Sequence, residues 1–313
     1  MAMDALARQI RLAEAAQRYY VDGWPQDRLA AHLRTSRSNV SRLLETARRE
    51  GAVRFVIDHP LRRHEALEEA LTRTFGVREA RVVAADGLDL VGRLAAAWLT
   101  EQDLDGRRLA IGWGRTIEAM VGRVTIDQPF DVEVVQVGGD LTMAPAPSGH
   151  ELVRSLGDAL GGRHRFLHAP ALVGTARVAR ELLAEPRIAA ELDLARRADV
   201  AVLGIGIPGV GFAEKALAES MPEVDDTVAA VICARLIDTH GTELPTPLRD
   251  RVIAITVDDV ARIPTVAGVA SGAAKGGPIA AALSSGAIDV IVCDQPAAAA
   301  AIEANQEQRD AEA

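Results

Sequence analysis

One lysine near the C-terminal end of the sequence stands in an unusual setting. Lys275 lies within VAGVASGAAKGGPIAAALSSG, and the chain contains one other lysine, Lys215. The pattern places Lys275 at the start of a helix, where a positive charge is unfavourable for the helix itself. A bound anion removes this conflict. The pattern therefore favours a phosphate-binding lysine over a solvated surface lysine, with a Schiff base to a sugar aldehyde as a minor alternative.

A glycine loop earlier in the chain offers the same kind of chemistry. Residues 112–116, GWGRT, lie between a predicted strand and a predicted helix, so their N–H groups could surround an anion. The motif is neither GxGxxG nor GxxxxGKS/T, which argues against dinucleotides and nucleoside triphosphates and favours a phosphomonoester. A tight turn that needs glycine only for its conformation also fits. The loop consists of Gly112, Trp113, Gly114, Arg115 and Thr116.

Further candidate groups follow three other predicted strands. They are Gly138, Gly139, Asp140, Gly204, Gly206 and Asp294. Asp140 fits two roles equally, as an acceptor for sugar hydroxyls or as the cap of a turn. Asp294 likewise either contacts the ligand or caps the next helix. The glycines fit close approach to a ligand or simple packing at a strand end.

Catalytic and metal-binding groups are not indicated by the sequence. No histidine and carboxylate pair with acid–base spacing adjoins the glycine loops. His150, His164 and His168 lie in one region, but their spacing does not fit one metal-binding helix face. Cys233 and Cys293 each stand in an apolar run, which favours buried, inert thiols. We therefore expect no catalytic residue, no metal and no cofactor.

These loops need a framework of short buried strands. From residue 80 onward, β-branched runs alternate with helical stretches, which predicts an α/β fold with a mostly parallel, Rossmann-like sheet. Such sheets bind ligands at the carboxyl ends of their strands. RRHEALEEALTRTFG predicts an amphipathic linker helix that could help to pair two subunits. The predicted strands are ARVVAA, RRLAIGWG, DVEVVQVGG, ADVAVLGIGIPG, RVIAITV, TVAGVASG and AIDVIVCD.

The first 59 residues have a different organisation. Residues 26–33 predict a short helix, residues 34–35 a tight turn, and Ser36 the N-cap of a second helix, which is helix-turn-helix spacing. Arg34 occupies the turn position where glycine is usual, and a left-handed conformation there costs about 1 kcal/mol. A supporting helix ending near Gly23 is predicted by helically spaced apolar residues: Leu6, Ile10, Ala13, Ala16 and Tyr20.

The second of these helices presents donors suited to phosphates and base edges in the major groove of DNA. The candidates are Ser36, Arg37, Ser38, Asn39, Ser41 and Arg42. A strand over residues 52–58, AVRFVID, would add a small wing, from which Arg54 could reach a phosphate. A helical hairpin with a solvated arginine face is the alternative. It does not explain the turn spacing, the cap and the positive charge together.

Charge divides between the same two parts of the chain. Residues 1–63 carry twelve arginines and seven acidic residues, a net charge of +5, whereas the remainder carries −14. A basic head on an acidic body is typical of a DNA-binding module joined to another domain. We predict a DNA-binding domain over residues 1–59 and an effector-binding and oligomerisation domain over residues 60–313. Because no signal peptide or membrane span is recognised, we expect a cytoplasmic protein with no membrane partner.

Taken in order, these motifs resemble the SorC family of sugar-binding transcriptional regulators, which is also grouped with DeoR-like regulators. The resemblance covers nearly the whole chain. It implies a winged helix-turn-helix and a larger effector domain that looks like sugar-phosphate isomerases and deaminases but does no chemistry. The motifs that carry it are QDRLAAHLRTSRSNVSRLLETARREGAV, GWGRT, VVQVGGDLT, ADVAVLGIGIPG and GVASGAAKGGPIAAALSSGAIDVIVCDQPAA.

The resemblance also implies a role and partners. Family members are cytoplasmic repressors or activators of sugar-utilisation operons and are commonly tetrameric. In them, the loop matching residues 112–116 and the lysine matching Lys275 line the effector site, which the loop matching residues 204–207 also faces. Members often have a polar residue where this chain has Ile207, so the sugar is left open. The expected partners are double-stranded operator DNA, a phosphorylated sugar and further copies of the chain, as a dimer or tetramer, and we expect a repressor.

Two other functions fit parts of the sequence. An active sugar-phosphate isomerase or aminosugar-phosphate deaminase would use Asp140, Lys275 and Asp294, although such an enzyme does not need a helix-turn-helix. A DNA-binding sensor of an unphosphorylated ligand, such as a free polyol, is the other. Turnover of a sugar phosphate without DNA binding separates the first alternative from the regulator, and loss of binding when the ligand is dephosphorylated separates the second.

Overall fold

The chain divides into two compact units, Met1–His59 and Pro60–Ala313, in the computed structural model. The model describes residues 2–53, 61–140, 148–210 and 227–312. Most of the predicted wing strand, including Arg54, lies outside these residues. Within the described ranges, no helix combines the length and the apolar character that a membrane crossing requires.

Three helices build the N-terminal unit. They are α1 (Ala2–Ala16), which continues as a π-helical turn (Gln17–Val21), α2 (Gln26–His32) and α3 (Arg37–Arg49). The supporting helix is confirmed, but its predicted buried face is wrong in part. Leu12 and Ala15 are buried, whereas Ile10 is 58% exposed. Because α1 is rich in alanine, helical spacing alone fits more than one face. Leu29 and Val40 join α2 and α3 in a small core.

The connection between α2 and α3 has the predicted geometry. Arg34 has a φ of +46°, the left-handed conformation that glycine adopts at lower cost. Ser36 caps α3, because its hydroxyl accepts a hydrogen bond from the Asn39 backbone N–H at 3.3 Å. The tight turn and the capped second helix are therefore confirmed.

Seven parallel strands form the framework of the C-terminal unit. The strands of this unit are β1 (Glu79–Val83), β2 (Arg108–Ile111), β3 (Glu133–Gln136), β4 (Arg163–His164), β5 (Val200–Gly204), β6 (Ala230–Ile232), β7 (Arg235–Ile237), β8 (Thr265–Ala270) and β9 (Val290–Asp294). The sheet order is β1-β9-β8-β5-β2-β3-β4, with every neighbouring pair parallel, while β6 and β7 form a separate antiparallel hairpin. The predicted α/β fold with a mostly parallel sheet is confirmed.

Helices lie between the strands and cover the sheet. Every residue of β9 is buried, which is expected of strands covered on both faces. The helices are α4 (Glu65–Phe75), α5 (Leu88–Thr100), α6 (Arg115–Val121), α7 (Gly149–Leu160), α8 (Ala176–Leu183), α9 (Pro186–Arg196), α10 (Val257–Val260), α11 (Gly276–Ser284) and α12 (Gln295–Glu312).

The direction of chain winding reverses at the centre of the sheet. From β2 the chain builds outward to β3 and β4, and then returns to place β5 on the other side of β2. From β5 it builds in the opposite direction to β8 and β9. Ligands of open parallel sheets bind at such a switch point, beyond the carboxyl ends of the strands. The fold therefore directs attention to the loops that follow β2 and β5.

One predicted strand and the expected role of one predicted helix differ from the observed fold. The run RVIAITV does not join the sheet and makes only single bridges, such as Val252 with Leu172 and Ala254 with Gly138. A buried segment needs apolar side chains whether or not it pairs in a sheet, so composition cannot separate the two cases. The predicted linker helix, α4, packs within the C-terminal unit, where Leu71 is fully buried. Its apolar stripe is thus used inside the chain.

Candidate functional site

Three loops meet at the carboxyl ends of β2, β5 and β8. A hydrogen bond of 2.9 Å runs from the Gly112 N–H to the Val202 carbonyl. A Cβ atom on Gly204 would lie only 3.1 Å from the carbonyl oxygen of Trp113. The loops after β2 and β5 are therefore in close contact, and β8 lies next to β5. We call residues 112–116, 204–206 and 271–277 the lysine side of the sheet edge.

Lys275 is the charged centre of the lysine side. It is half-buried, and its Nζ donates a hydrogen bond to the carbonyl oxygen of Ile205. Burial, followed by the like charge of Arg115, lowers the pKa of Lys275 to about 8. Among the described residues, no carboxylate forms an ion pair with this ammonium. Lys275 and Arg115 therefore repel each other, and within the part of the chain that the structure describes neither has an ion-pair partner, an arrangement that favours an anion site.

The glycines of the lysine side fall into two groups, one required by backbone conformation and one not. Gly114 and Gly272 have φ values of +120° and +94°, which L side chains rarely adopt. Gly112 and Gly277 have no such requirement. A Cβ on Gly112 would lie 3.6 Å from its nearest neighbour, and a Cβ on Gly277 would meet no described atom within 4 Å. Neither conformation nor packing demands glycine at these two positions, so close approach of a ligand would account for both.

Asp294 anchors the loop that carries Lys275. Its carboxylate is fully buried and accepts hydrogen bonds from the Ser271 hydroxyl at 2.6 Å and from the Gly272 N–H at 2.9 Å. It also accepts from the Ala297 N–H at 3.0 Å, in the first turn of α12. Of the two roles that the sequence leaves open, this geometry favours the cap. We assign Asp294 as a positioning residue.

The loop after β3 has another character. We call residues 138–140 the aspartate side. A Cβ on Gly138 would lie 2.6 Å from the Ala254 side chain, and one on Gly139 would lie 2.5 Å from the Pro170 backbone. Both glycines are required by packing. The Asp140 carboxylate accepts a hydrogen bond from the Gly149 N–H at 2.6 Å, at the start of α7, which favours the capping role over a sugar contact.

The hairpin of β6 and β7 packs beside the loop after β5. Gly206 and Val231 exchange backbone hydrogen bonds of 2.8 and 3.1 Å, and a Cβ on Gly206 would lie 2.9 Å from the Val231 side chain. Gly206 is therefore explained by packing. Arg235, 6% exposed, donates to the Ala254 carbonyl at 2.8 Å, and burial lowers its pKa.

Sequence reasoning missed some residues of the lysine side. Ser271 and Gly272 hold the loop to Asp294, and Gly277 leaves open space beside Lys275. The sequence pattern SGxxKGG could have identified them, because a serine hydroxyl and paired glycines flank the lysine.

The histidines near residue 160 and the two cysteines are explained by packing and burial. The rings of His150 and His168 pack 5.2 Å apart, and His150 Nε2 lies 3.1 Å from the Leu167 carbonyl oxygen. No group of metal-ligating side chains occurs among the described residues. Cys233 and Cys293 are both buried, as predicted. Burial raises the pKa of Cys233 to about 12 and also raises that of Cys293, which makes thiolates unfavourable.

The N-terminal turns of α3 present an exposed polar surface. Val40 and Leu44 face the core, while the predicted contact residues face outward. The amide of Asn39 donates to the Thr35 hydroxyl at 3.0 Å. Arg37 lies 3.7 Å from Asp27, in an ion pair that is mostly exposed. The exposed candidates are Ser36, Arg37, Ser38, Asn39, Ser41 and Arg42.

A family model matches most of the chain. Residues 59–303 match the model described as “Putative sugar-binding domain”. The deoxyribonucleoside regulator of Bacillus subtilis (strain 168) is 27% identical, over 96% of this chain and 99% of its own. The sorbitol operon regulator of Klebsiella pneumoniae is 26% identical, over 92% and 96% of the two chains.

Solved structures share the fold. The crystal structure of the full-length sorbitol operon regulator SorC from Klebsiella pneumoniae has a TM-score of 0.69 at 22% identity, covering 93% of this chain and 98% of that one. A DeoR family transcriptional regulator from Listeria monocytogenes has a TM-score of 0.67 at 25% identity, covering 75% and 98%. The sheet that positions the lysine side is thus common to these proteins.

Proposed function

Because this chain belongs to the SorC family of sugar-binding transcriptional regulators, we propose that it represses a carbohydrate-utilisation operon in response to a phosphorylated sugar. The N-terminal unit binds double-stranded operator DNA as a helix-turn-helix domain. The C-terminal unit binds the effector and holds copies of the chain together. The protein works in the cytoplasm, as a dimer or tetramer, and catalyses no reaction.

The observation that carries the effector assignment is the uncompensated charge of Lys275. A half-buried ammonium whose pKa is lowered to about 8 by burial and by Arg115 gains stability when a phosphate group arrives. The open space at Gly277 leaves room for that group, and the absence of a side chain at Gly112 lets it approach the backbone there. The N–H groups of the lysine side and the hydroxyl of Thr116 supply further donors. We place the phosphate against Lys275 and Arg115, with the sugar extending toward Trp113.

The proposal that the chain is not an enzyme is supported by how two of the candidate carboxylates are used. Asp140 and Asp294 both accept hydrogen bonds from backbone N–H groups at helix starts. Each carboxylate therefore caps a helix, which disfavours these two residues as the acid–base groups of an isomerase or deaminase. Lys275 then acts as a binding group and not as a nucleophile.

DNA recognition is assigned to the exposed turns of α3. Arg42 and Asn39 are suited to base edges, and Arg37 and Ser41 to phosphates. A dimer places two such helices at a fixed half-site spacing. Effector binding shifts the population of subunit arrangements, and this changes the spacing and hence the affinity for the operator.

The effector is tested by thermal unfolding of the full-length protein against sugar phosphates paired with their free sugars. A ligand present at 100 times its Kd stabilises the folded state by about 2.7 kcal/mol, so a phosphosugar should raise the midpoint by several degrees. Lys275→Met should lose most of this shift, while Arg93→Met, which removes an exposed cation on α5, should keep it. A shift with free sugars only would contradict phosphate recognition and leave DNA binding intact.

DNA binding is tested with a duplex selected from a random-sequence pool by the wild-type protein. Arg42→Ala should weaken binding to that duplex about tenfold or more, because one base contact is worth about 1–3 kcal/mol. Arg48→Ala, on the exposed last turn of the same helix, is the matched control and should have a smaller effect. Failure to select any duplex would refute the DNA-binding assignment.

A further inference from the structure

The start of the C-terminal unit pairs with the edge of the sheet through an isolated β-bridge. β1 is the last strand on its side of the sheet. Residues 61–64 run antiparallel along its outer edge, where the His64 N–H donates to the Val82 carbonyl at 2.8 Å and the Ala84 N–H donates to the Arg62 carbonyl at 2.7 Å. Arg63 pairs with Val83. We call residues 61–64 the edge segment. It follows directly after the boundary between the two units.

A bidentate ion pair holds the edge segment in place. Arg63 donates through Nε and Nη2 to the two carboxylate oxygens of Glu68 in α4, at 2.7 and 2.9 Å. The same Glu68 accepts from the Val82 N–H at 2.8 Å, and Arg63 also contacts the Ala80 carbonyl at 3.3 Å. Glu68 is buried, while Arg63 is partly exposed. A bidentate pair fixes orientation as well as distance, so the edge segment has one defined register.

The edge segment lies in line with the anchor of the lysine loop. Arg63 pairs with Val83, and Val83 pairs in register with Asp294 on β9. Neighbouring strands are about 4.8 Å apart, so two strand spacings, about 10 Å, separate the backbones of Arg63 and Asp294. Asp294 holds Ser271 and Gly272. One row across the sheet thus connects the lysine loop to the boundary of the two units.

A second backbone contact joins the same two ends. The Gln295 N–H donates to the Ala85 carbonyl at 3.4 Å. Ala85 follows Ala84, which is bonded to the edge segment, and Gln295 follows Asp294. This hydrogen bond therefore joins the end of β1, which pairs with the edge segment, to the end of β9, which holds the Asp294 anchor.

We propose that effector binding at the lysine side is coupled to the edge segment, the first described residues of the C-terminal unit. This inference rests on the proposed function of that site. A ligand that orders residues 271–277 through Lys275 stabilises the Asp294 anchor, and with it the pairing of β1 and the edge segment. Loss of the ligand loosens the segment. Because coupling free energy is reciprocal, weakening the Arg63–Glu68 pair must also loosen the lysine loop.

Hydrogen exchange of the full-length protein tests this coupling without an identified effector. Glu68→Gln keeps the volume of the side chain but removes the charge that pairs with Arg63. Amide exchange in residues 61–67 and 83–88 should speed up, and exchange in residues 271–277 should speed up about threefold. Glu79→Gln removes one partner of the Arg81 ion pair at the opposite end of β1 and should leave residues 271–277 unchanged. Residues 108–111 of β2 serve as the internal reference for global opening.

The outcomes separate the coupling from the binding site. Unchanged exchange in residues 271–277 of Glu68→Gln, with faster exchange at 61–67, overturns the coupling. If exchange in β2 speeds up by the same factor, the variant is globally destabilised, and the coupling is also overturned. Inorganic phosphate added to the wild type should slow exchange in residues 271–277 and 61–67 together. Slowing of residues 271–277 alone keeps the effector site and rejects the coupling, and slowing of neither rejects the anion site, on which the coupling depends.

Discussion

The lysine side and the aspartate side of the sheet edge look alike in sequence and differ in the structure. Each follows a buried strand, and each combines glycines with a charged residue. On the aspartate side, neighbouring atoms occupy the space that a Cβ atom on Gly138 or Gly139 would need. The Asp140 carboxylate accepts a hydrogen bond at the start of α7. On the lysine side, a Cβ would make only ordinary contacts at Gly112 and would meet open space at Gly277, and Lys275 has no counter-charge among the described residues.

The sign of the charge explains the difference. A helix start presents free N–H groups and a partial positive charge, so a carboxylate there is satisfied by the protein itself. Asp140 and Asp294 both have this arrangement. An ammonium at a helix start is repelled by the same field and gains a partner only when an anion binds. A lysine before a glycine-flanked helix is therefore a better indicator of a ligand than an aspartate in the same position.

The largest expected effect is on folding stability at the aspartate side. In Gly139→Ala, the new Cβ would lie 2.5 Å from the Pro170 backbone, which cannot move without breaking neighbouring contacts. We expect a loss of about 3 kcal/mol in the free energy of unfolding. Gly112→Ala, whose Cβ would have ordinary contacts, should lose less than about 1 kcal/mol. Urea unfolding measures both, and equal losses would remove the distinction between the two kinds of glycine.

The next effect is on affinity at the lysine side. Lys275→Met should weaken binding of the phosphosugar found by thermal unfolding about thirtyfold, equivalent to about 2 kcal/mol, because a hydrogen bond to a charged group is lost. Asp140→Asn should change the same Kd by less than about threefold. Isothermal titration calorimetry measures both variants. A larger loss in Asp140→Asn than in Lys275→Met would place the ligand on the aspartate side.

The pH dependence of binding should follow Lys275. The ammonium binds the anion, and its pKa is about 8 in the free protein. Affinity should therefore fall about tenfold between pH 7 and pH 9, as the free lysine loses its proton. A phosphomonoester is already a dianion across this range. Lys275→Met should show a flat profile, and a flat profile in the wild type would contradict the assignment.

Without ligand, the contribution of Lys275 to the free energy of unfolding should rise with pH, whereas the affinity for the phosphosugar falls. The pKa of this lysine is lowered from 10.5 to about 8 on folding. Between these values the unfolded chain keeps a proton that the folded chain has released, so the contribution of Lys275 to stability rises with pH across that window. Urea unfolding at several pH values, compared with Lys275→Met, isolates this contribution.

The frame of the site was predictable, because it depends on strong local signals. The central residues of strands such as IDVIVCD, here residues 290–293, are all apolar, as strands covered on both faces must be. The cap at Ser36 and the left-handed turn at Arg34 follow from the needs of one tight connection. The lysine was marked by its rarity and by the glycines around it.

The rest depends on contacts between distant segments. RVIAITV is apolar because it is buried beside Gly138 and Leu172, and no local pattern separates it from a strand. The hairpin of β6 and β7 turns at Cys233 and Ala234, with φ values of +51° and +61°. Asparagine or glycine at these positions would have predicted a tight hairpin turn, but cysteine and alanine do not. Gly112 and Gly139 differ in the atoms that a Cβ would meet, and these atoms belong to segments distant in the sequence.

The smallest expected effect is the loss of folding stability when the Asp140 carboxylate is removed. Asp140→Ala removes the acceptor of the Gly149 N–H, a bond of 2.6 Å at the first turn of α7. We expect a loss of about 1 kcal/mol in the free energy of unfolding, as for other helix-start caps. The Kd for the phosphosugar should stay unchanged, because this carboxylate serves α7. Urea unfolding and calorimetry on the same sample separate the two readouts. A tenfold loss of affinity with unchanged stability would show that Asp140 contacts the sugar, and the two sides of the edge would then form one site.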